Sequence, residues 1–165
     1  MISKKSFIMF LFLSLILFGC EVLTKDSYDF YKDVETTDLS SENINSVHIG
    51  SSENEIIEKF GVPQKEDQDD SFKNISYENN GLLFLLKNNK LIEYRINNSN
   101  YSTNKGIKVG DNKQKVIEKY GKNYYTKKED RTYSAIGYFD KVKKLHIEFG
   151  LSKGKVTFIN VVDMR

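Results

Sequence analysis

Two stretches of this sequence, GSSENEIIEKFG at residues 50–61 and GDNKQKVIEKYG at residues 110–121, share one pattern at a spacing of sixty residues. Each begins and ends with glycine and follows an apolar–x–apolar lead, at residues 47–49 and 107–109. Between the glycines, the apolar positions fall on one face of a helix. Because lead, helix and end glycine recur together, the sequence predicts that a whole structural unit is duplicated.

Both stretches carry their own signals for the start and the end of a helix. Ser52 with Glu55, and Asp111 with Gln114, have the spacing of a capping box, in which two side chains satisfy free backbone donors. Each helix has only about nine or ten residues, which is too short to be stable alone, so each must pack on something. The glycines predicted to frame the repeat, the second of each pair ending its helix in a left-handed conformation, are Gly50, Gly61, Gly110 and Gly121.

After each helix the apolar residues alternate, which indicates strands. Residues 144–149 and 156–161 flank a glycine-containing turn and predict an antiparallel hairpin, to which residues 132–139 add a third strand. The matching strands of the first unit are predicted at 74–77, 82–86 and 91–96. The predicted fold class is therefore α+β, with two tandem units at 47–104 and 105–165, each a short helix packed on an antiparallel sheet of about three strands.

The N-terminus has the pattern of a secretory signal. Two lysines precede an apolar run at residues 7–18 that is too short to span a bilayer comfortably, and Gly19 precedes Cys20, the single cysteine. The segment resembles a bacterial lipoprotein signal. That resemblance implies that residues 1–19 are removed and that Cys20 is acylated, for example with palmitate, as the first mature residue. The alternative is an uncleaved anchor with an incidental cysteine.

Residues 20–46 are predicted to be the lipidated cysteine and an acidic tether. Acidic residues, serine and threonine predominate there, and no helical or strand period persists. Three aromatic residues either dock locally or mark a partner-binding segment; they are Tyr28, Phe30 and Tyr31. Lysines concentrate in the second unit, which we interpret as complementing the acidic first unit. The alternative is that the basic unit faces anionic lipid headgroups or wall polymers.

The duplicated plan also carries a family resemblance. An apolar–x–Gly lead, a capped helix that ends in apolar–Gly and a tyrosine-bearing hairpin resemble the repeat of BamE/SmpA-type envelope lipoproteins and of beta-lactamase inhibitory protein (the BLIP-like fold). Residues 61–63 (GVP) follow that repeat, whereas residues 121–123 (GKN) depart from it. The resemblance covers residues 47–163 and implies a protein-binding or scaffold role without catalysis.

No catalytic, metal or cofactor site is predicted. His48 and His146 have no third ligand at metal spacing, so we expect two ordinary surface histidines. Asp67 begins a spacing like that of a calcium loop, but Phe72 stands where the sharp turn needs glycine. No serine or cysteine has a plausible base and orienting acid. We therefore expect neither an enzyme nor a bound cofactor.

These patterns predict a lipid-anchored protein of the cell membrane, facing outside the cytoplasm, that acts as a non-catalytic protein-binding, inhibitory or assembly module. Leu83 and Leu85 mark a possible interaction face, because they align with His146 and Glu148 on the outer side of the strand. Either the chain itself covers these leucines, or a protein partner or a second copy does. No nucleic-acid partner is expected. The alternative function is binding of a small ligand or wall polymer by the second unit, whose tyrosines are Tyr120, Tyr124, Tyr125, Tyr133 and Tyr138.

Overall fold

The computed structural model describes residues 26–128 and 132–165. Its centre is one antiparallel sheet of eight strands. The helices are α1 (Glu53–Phe60) and α2 (Lys113–Tyr120), with 3-10 turns at Ser27–Phe30 and Glu78–Asn80. The strands are β1 (Lys65–Asp69), β2 (Phe72–Tyr77), β3 (Leu82–Lys87), β4 (Lys90–Ile96), β5 (Tyr125–Lys128), β6 (Tyr133–Asp140), β7 (Leu145–Ser152) and β8 (Lys155–Asp163).

The predicted fold class, two tandem units that each pack a helix on a sheet of about three strands, is wrong. Each half contributes four strands to one continuous sheet, in the order β1-β2-β3-β4-β8-β7-β6-β5. The halves join where β4 pairs antiparallel with β8, so that Tyr94 lies opposite Val161 and Ile96 opposite Ile159. This pairing satisfies the backbone groups of two strand edges that the separate units would have left open.

The two strands that the sequence did not predict are those at the edges of the sheet. All five residues of β1 are exposed, and four of them are charged, so this segment has no apolar alternation that would predict a strand. The other edge strand, β5, has only four residues. Short or charged edge strands are a common protection against unwanted pairing with other chains. A short or charged strand resists pairing with other chains. For the same reason it lacks the alternating apolar pattern by which a strand is predicted from sequence.

Both helices lie against one side of the sheet, which we call the inner face. Phe60 at the end of α1 packs on Tyr77, with ring centroids 5.7 Å apart. Tyr120 at the end of α2 packs on Tyr138 at 5.3 Å. The apolar positions predicted to face the core of β3 and β7 are all buried on this face; they are Leu82, Phe84, Leu86, Leu145, Ile147 and Phe149.

The helix start signals are confirmed for α1 and wrong in detail for α2. The Ser52 hydroxyl accepts a hydrogen bond from the Glu55 backbone N–H, and the Glu55 carboxylate accepts one from that of Ser52. In α2 the cap is Asn112, whose side chain accepts from the Lys115 backbone N–H at 2.8 Å. The Asp111 carboxylate instead accepts from the Lys115 Nζ at 2.8 Å.

Glycine ends both helices, in a conformation that differs from the expected left-handed helical one. Gly61 has φ 79° and ψ −164°, and Gly121 has φ 93° and ψ −170°. This combination of positive φ and extended ψ is essentially restricted to glycine. It presents each glycine carbonyl to a tyrosine hydroxyl, from Tyr77 at 2.7 Å and from Tyr138 at 3.1 Å. The other two repeat glycines, which each donate a 2.8 Å backbone hydrogen bond to the last strand of their own half, are Gly50 and Gly110.

Candidate functional site

The side of the sheet opposite the helices, which we call the outer face, is covered over its second half by the chain's own N-terminal strap, residues 26–31. The strap is a 3-10 turn with its own capping box, in which the Asp29 carboxylate accepts from the backbone N–H of Asp26 at 2.9 Å. The Ser27 hydroxyl donates to the Glu148 carboxylate on β7 at 2.6 Å. This capped turn is thus held on the outer face by a side-chain hydrogen bond.

Aromatic stacking holds the rest of the strap. The Phe30 ring stacks on Tyr125 of β5, with centroids 4.9 Å apart and planes 7° from parallel. The Tyr31 ring meets Phe139 of β6 edge-on at 5.2 Å. Such aromatic pairs each contribute about 0.5–1.5 kcal/mol beyond the burial of their area. Of the two interpretations of these aromatics, the structure shows local docking, on residues of the second half of the sheet.

The chain continues to pack against the domain after the strap. The Thr37 backbone N–H donates to the Phe139 carbonyl at 2.8 Å, and that of Leu39 donates to the Asp140 carboxylate at 3.0 Å. Leu39 and Ile44 are fully buried in the core. From residue 26 onward the segment predicted as a tether is therefore part of the folded domain. The predictions for residues 1–19 and for Cys20 lie outside the described residues.

A buried polar cluster lies beneath the strap. The Tyr125 hydroxyl donates to the Glu148 carboxylate at 2.5 Å and lies 2.8 Å from His146 Nε2. Because the hydroxyl has a single proton, His146 must donate from Nε2. Burial lowers the pKa of His146 to about 4, although Glu148 opposes this shift. The expectation of a surface histidine is wrong for His146, which is 5% exposed and uncharged at neutral pH.

This cluster does not have the geometry of a catalytic triad. Ser27 bonds to the Glu148 carboxylate, and no hydrogen bond joins its hydroxyl to the imidazole of His146. Within residues 26–128 and 132–165, no group of three or more histidine, cysteine or acidic side chains is placed to hold a metal ion. In the same part of the chain, no helix has the length and apolar character needed to cross a membrane.

The strap has a docking place on one half only, because the two central hairpins differ in length. Tyr77 pairs with Leu82 at the end of hairpin β2–β3, whereas the matching pair in β6–β7, Tyr138 with Ile147, is followed by two more pairs. The extra pairs are Phe139 with His146 and Asp140 with Leu145. These additional residues are the ones that Tyr28, Tyr31, Thr37 and Leu39 contact.

The longer hairpin also changes which residues correspond between the halves. Counted from the tyrosine pairs, Leu83 corresponds to Glu148 and Leu85 to Gly150, so the sequence alignment with His146 and Glu148 is two residues out. A signal visible in the sequence was the spacing from each hairpin's tyrosine to the first apolar residue of the alternating strand that follows, five residues from Tyr77 to Leu82 and seven from Tyr138 to Leu145. That spacing indicates a hairpin extension, and the alignment missed it.

The first half of the outer face is left uncovered by the strap, and Leu83 and Leu85 lie at its centre. Leu83 is 44% exposed, and Leu85 is half-buried. Together with four polar neighbours they line a shallow cavity of about 230 Å³. We call this surface the open face; its polar neighbours are Asn74 and Ser76 on β2 and Glu93 and Arg95 on β4.

Contacts within the sheet position the charged groups of the open face. The Arg95 guanidinium lies 3.8 Å from the centre of the Phe158 ring, and its Nε donates to the Asn97 side chain at 3.0 Å. Glu93 accepts from the Asn160 amide at 2.9 Å. A positive and a negative group thus flank the leucines in fixed positions, which gives the open face an apolar centre and a polar rim.

The tyrosines considered for ligand binding are mostly used in packing. Tyr120 and Tyr138 are buried in the core, and Tyr125 is buried beneath Phe30. Tyr124 is partly buried against the core, and Tyr133 is half-exposed on β6. Three of the five rings therefore have no open face to present to a ligand.

No known family matches the chain, and no curated protein is significantly similar to it. Among solved structures, an extracellular protein containing a SCP domain from Bacillus anthracis matches with a TM-score of 0.48 and 11% identity, over 88% of this chain and 49% of that one. This chain thus spans about half the length of that protein.

Two further solved structures match this chain over nearly their whole length. A protein from Streptococcus mutans described as a "putative beta-lactamase inhibitor protein" has a TM-score of 0.31 and 18% identity, over 85% of this chain and 99% of that one. A DUF4309 family protein from Bacillus subtilis has a TM-score of 0.39 and 15% identity, over 86% and 95%. The description of the Streptococcus protein names a beta-lactamase inhibitor, and the sequence repeat of this chain resembles that of beta-lactamase inhibitory protein. With TM-scores below 0.5, none of the three bears on what this chain does.

Proposed function

We propose that this chain is a lipid-anchored envelope protein whose folded domain binds another protein without catalysis, as an inhibitory or assembly module. The observation that carries this proposal is the open face, where Leu83 is exposed and Leu85 is half-buried although the same side of the other half is covered. Leaving a leucine side chain exposed forgoes about 1.5–3 kcal/mol. A partner that covers both leucines recovers the part of that free energy that corresponds to their remaining exposed area.

The composition of the open face favours a protein as the occupant. Interfaces between proteins have an apolar centre surrounded by a polar rim. Leu83 and Leu85 supply such a centre, and Glu93 and Arg95 supply rim charges of opposite sign. The cavity is shallow and open, whereas small-molecule sites enclose most of their ligand. A broad partner surface fits this shape better than a small ligand does.

The proposed anchor is Cys20, which attaches the domain to the outside of the cell membrane. Its position after an apolar run and Gly19 supports lipidation, and two or more acyl chains retain a protein firmly. Cys20→Ser should abolish incorporation of a labelled fatty acid and leave precursor or released protein. Cell fractionation with that label measures the result. Unchanged processing and membrane retention of the serine variant would contradict the anchor.

The open face is tested with Leu83→Glu combined with Leu85→Lys. This variant should keep its fold and lose partner capture in native membranes by at least about tenfold, because central interface residues dominate binding free energy. Val62→Glu is the matched control, since Val62 is 82% exposed after α1 and away from the sheet's outer face. Crosslinking measures capture, and light scattering on the soluble domain detects a second copy as the partner. A large fall in melting temperature with unchanged mass would show that the leucines belong to the core, and the proposal would fail.

A further inference from the structure

We infer that the protein bound on the open face is itself anchored to or embedded in the same membrane. This inference rests on the proposed lipid anchor at Cys20 and on the proposed binding role of the open face. It adds the location of the partner, which follows from where the chain enters the domain and how little chain precedes that point.

The link between the anchor and the domain is short. Cys20 and Asp26 are six residues apart, and a fully extended chain spans at most about 3.3–3.6 Å per residue. The domain can therefore stand no more than roughly 20 Å from the acylated cysteine. A longer linker would have let the domain turn freely and reach far from the bilayer.

The strap fixes the point at which this link joins the domain. Ser27 is bonded to Glu148 on β7, and Phe30 is stacked on Tyr125. The chain thus enters the domain on the outer face of the second half of the sheet, over β7. Since β7 and β3 are three strand steps apart in the sheet, Leu83 lies roughly 14 Å from this entry point. The link therefore joins the domain on the same outer face that carries the open face.

Lys141 and Lys144 lie against Tyr31 at the far end of the strap, but the charges of the open face itself argue for a protein partner rather than the lipid surface. Surfaces that dock on anionic lipid present clusters of lysine and arginine. Here Arg95 is accompanied by Glu93 on the open face and by Asp26 and Asp29 on the adjacent strap. A partner held on the same membrane meets the open face at the high effective concentration that a short link provides.

The test uses the full lipidated chain in its native membranes, with a photo-crosslinking residue at Ser76, which lies opposite Leu83 on β2. One form keeps the native link, and a second has about twenty Gly and Ser residues inserted between Glu21 and Val22. The link ties the domain to the membrane and not to the partner, so it confines only the height of the domain above the bilayer, which grows roughly as the square root of the link length. At partner levels below saturation, the crosslinked product should therefore decrease about twofold. An unchanged yield would mean that the partner arrives from bulk solution and would overturn the inference.

Controls separate this inference from the proposed function. Fatty-acid labelling and the melting temperature verify that the inserted form is still acylated and folded with its strap in place. If Leu83→Glu leaves crosslinking unchanged in the native-link form, the binding role of the open face fails and the inference fails with it. If Leu83→Glu abolishes crosslinking while the insertion has no effect, only the location of the partner is wrong. Crosslinking to lipid alone would overturn both.

Discussion

Hairpins β2–β3 and β6–β7 occupy matching places in the two halves, yet the outer side of one is open and that of the other is sealed. The difference comes from two extra residue pairs in β6–β7, which bring Phe139 and His146 beneath the strap. In the first half, exposed Leu83 and half-buried Leu85 lie on the corresponding side of the sheet. The comparison shows how two matching hairpins of one sheet can differ in whether their outer side is covered, through a small change in hairpin length.

The largest expected difference between the two outer surfaces follows from placing a charge on each of them. His146→Glu buries a carboxylate beside Glu148 and should lower the free energy of unfolding by about 3–5 kcal/mol. Leu83→Glu, on the open face, should change it by less than about 1 kcal/mol. Chemical denaturation of the soluble domain measures both values. Equal losses would mean that the two outer surfaces are covered to the same extent.

Lowering the pH should destabilise the covered half of the outer face through His146, without any mutation. His146 has a pKa of about 4 in the folded protein against 6.5 when unfolded, so the unfolded state binds the extra proton first. Stability should therefore decrease as the pH falls from about 6.5 to 4, by up to roughly 3 kcal/mol. His146→Gln should flatten this window, and denaturation midpoints across the pH range measure it. A wild-type curve that is already flat there would contradict the buried, uncharged state of His146.

Removing one aromatic ring from each half compares how much packing on the covered and the uncovered outer surface contributes to stability. Phe30→Ala loses the stack on Tyr125 and should lower the free energy of unfolding by about 2 kcal/mol, since Phe30 is half-buried. Phe72→Ala on the uncovered half should lower it by a few tenths of a kcal/mol, because Phe72 is already 40% exposed. Thermal unfolding of both variants provides the measurement. A larger loss for Phe72 than for Phe30 would show that the strap contributes little.

The smallest expected effect concerns a feature that the halves share. Gly61→Val and Gly121→Val should each lower the free energy of unfolding by about 1 kcal/mol or more, because a β-branched residue is strained at positive φ. The two losses should agree, since each glycine ends its helix in nearly the same conformation. Urea denaturation measures them. A loss at one glycine only would mean that the halves differ inside as well as outside.

Much of the local structure could be predicted from the sequence. Capping at Ser52, the helix-ending role of Gly61 and Gly121, and the apolar faces of β3 and β7 follow from spacings within a few residues. Leu83 was recognised as an exposed apolar residue for the same reason, because alternation along a strand assigns each side chain to a face. The partners of that face, Arg95 and Glu93, were not recognised, since they lie on a neighbouring strand.

The tertiary structure alone decided how these pieces meet. Ser27 and Glu148 are 121 residues apart, and no local pattern indicates that one covers the other. The joining of β4 to β8 likewise depends on the open backbone hydrogen-bonding groups of two strand edges, which find their partners only in each other. Local spacing determines which residues turn inward, because it is a property of single helices and strands. Which surfaces then cover one another depends on strand register and hairpin length, and here these left Leu83 and Leu85 open.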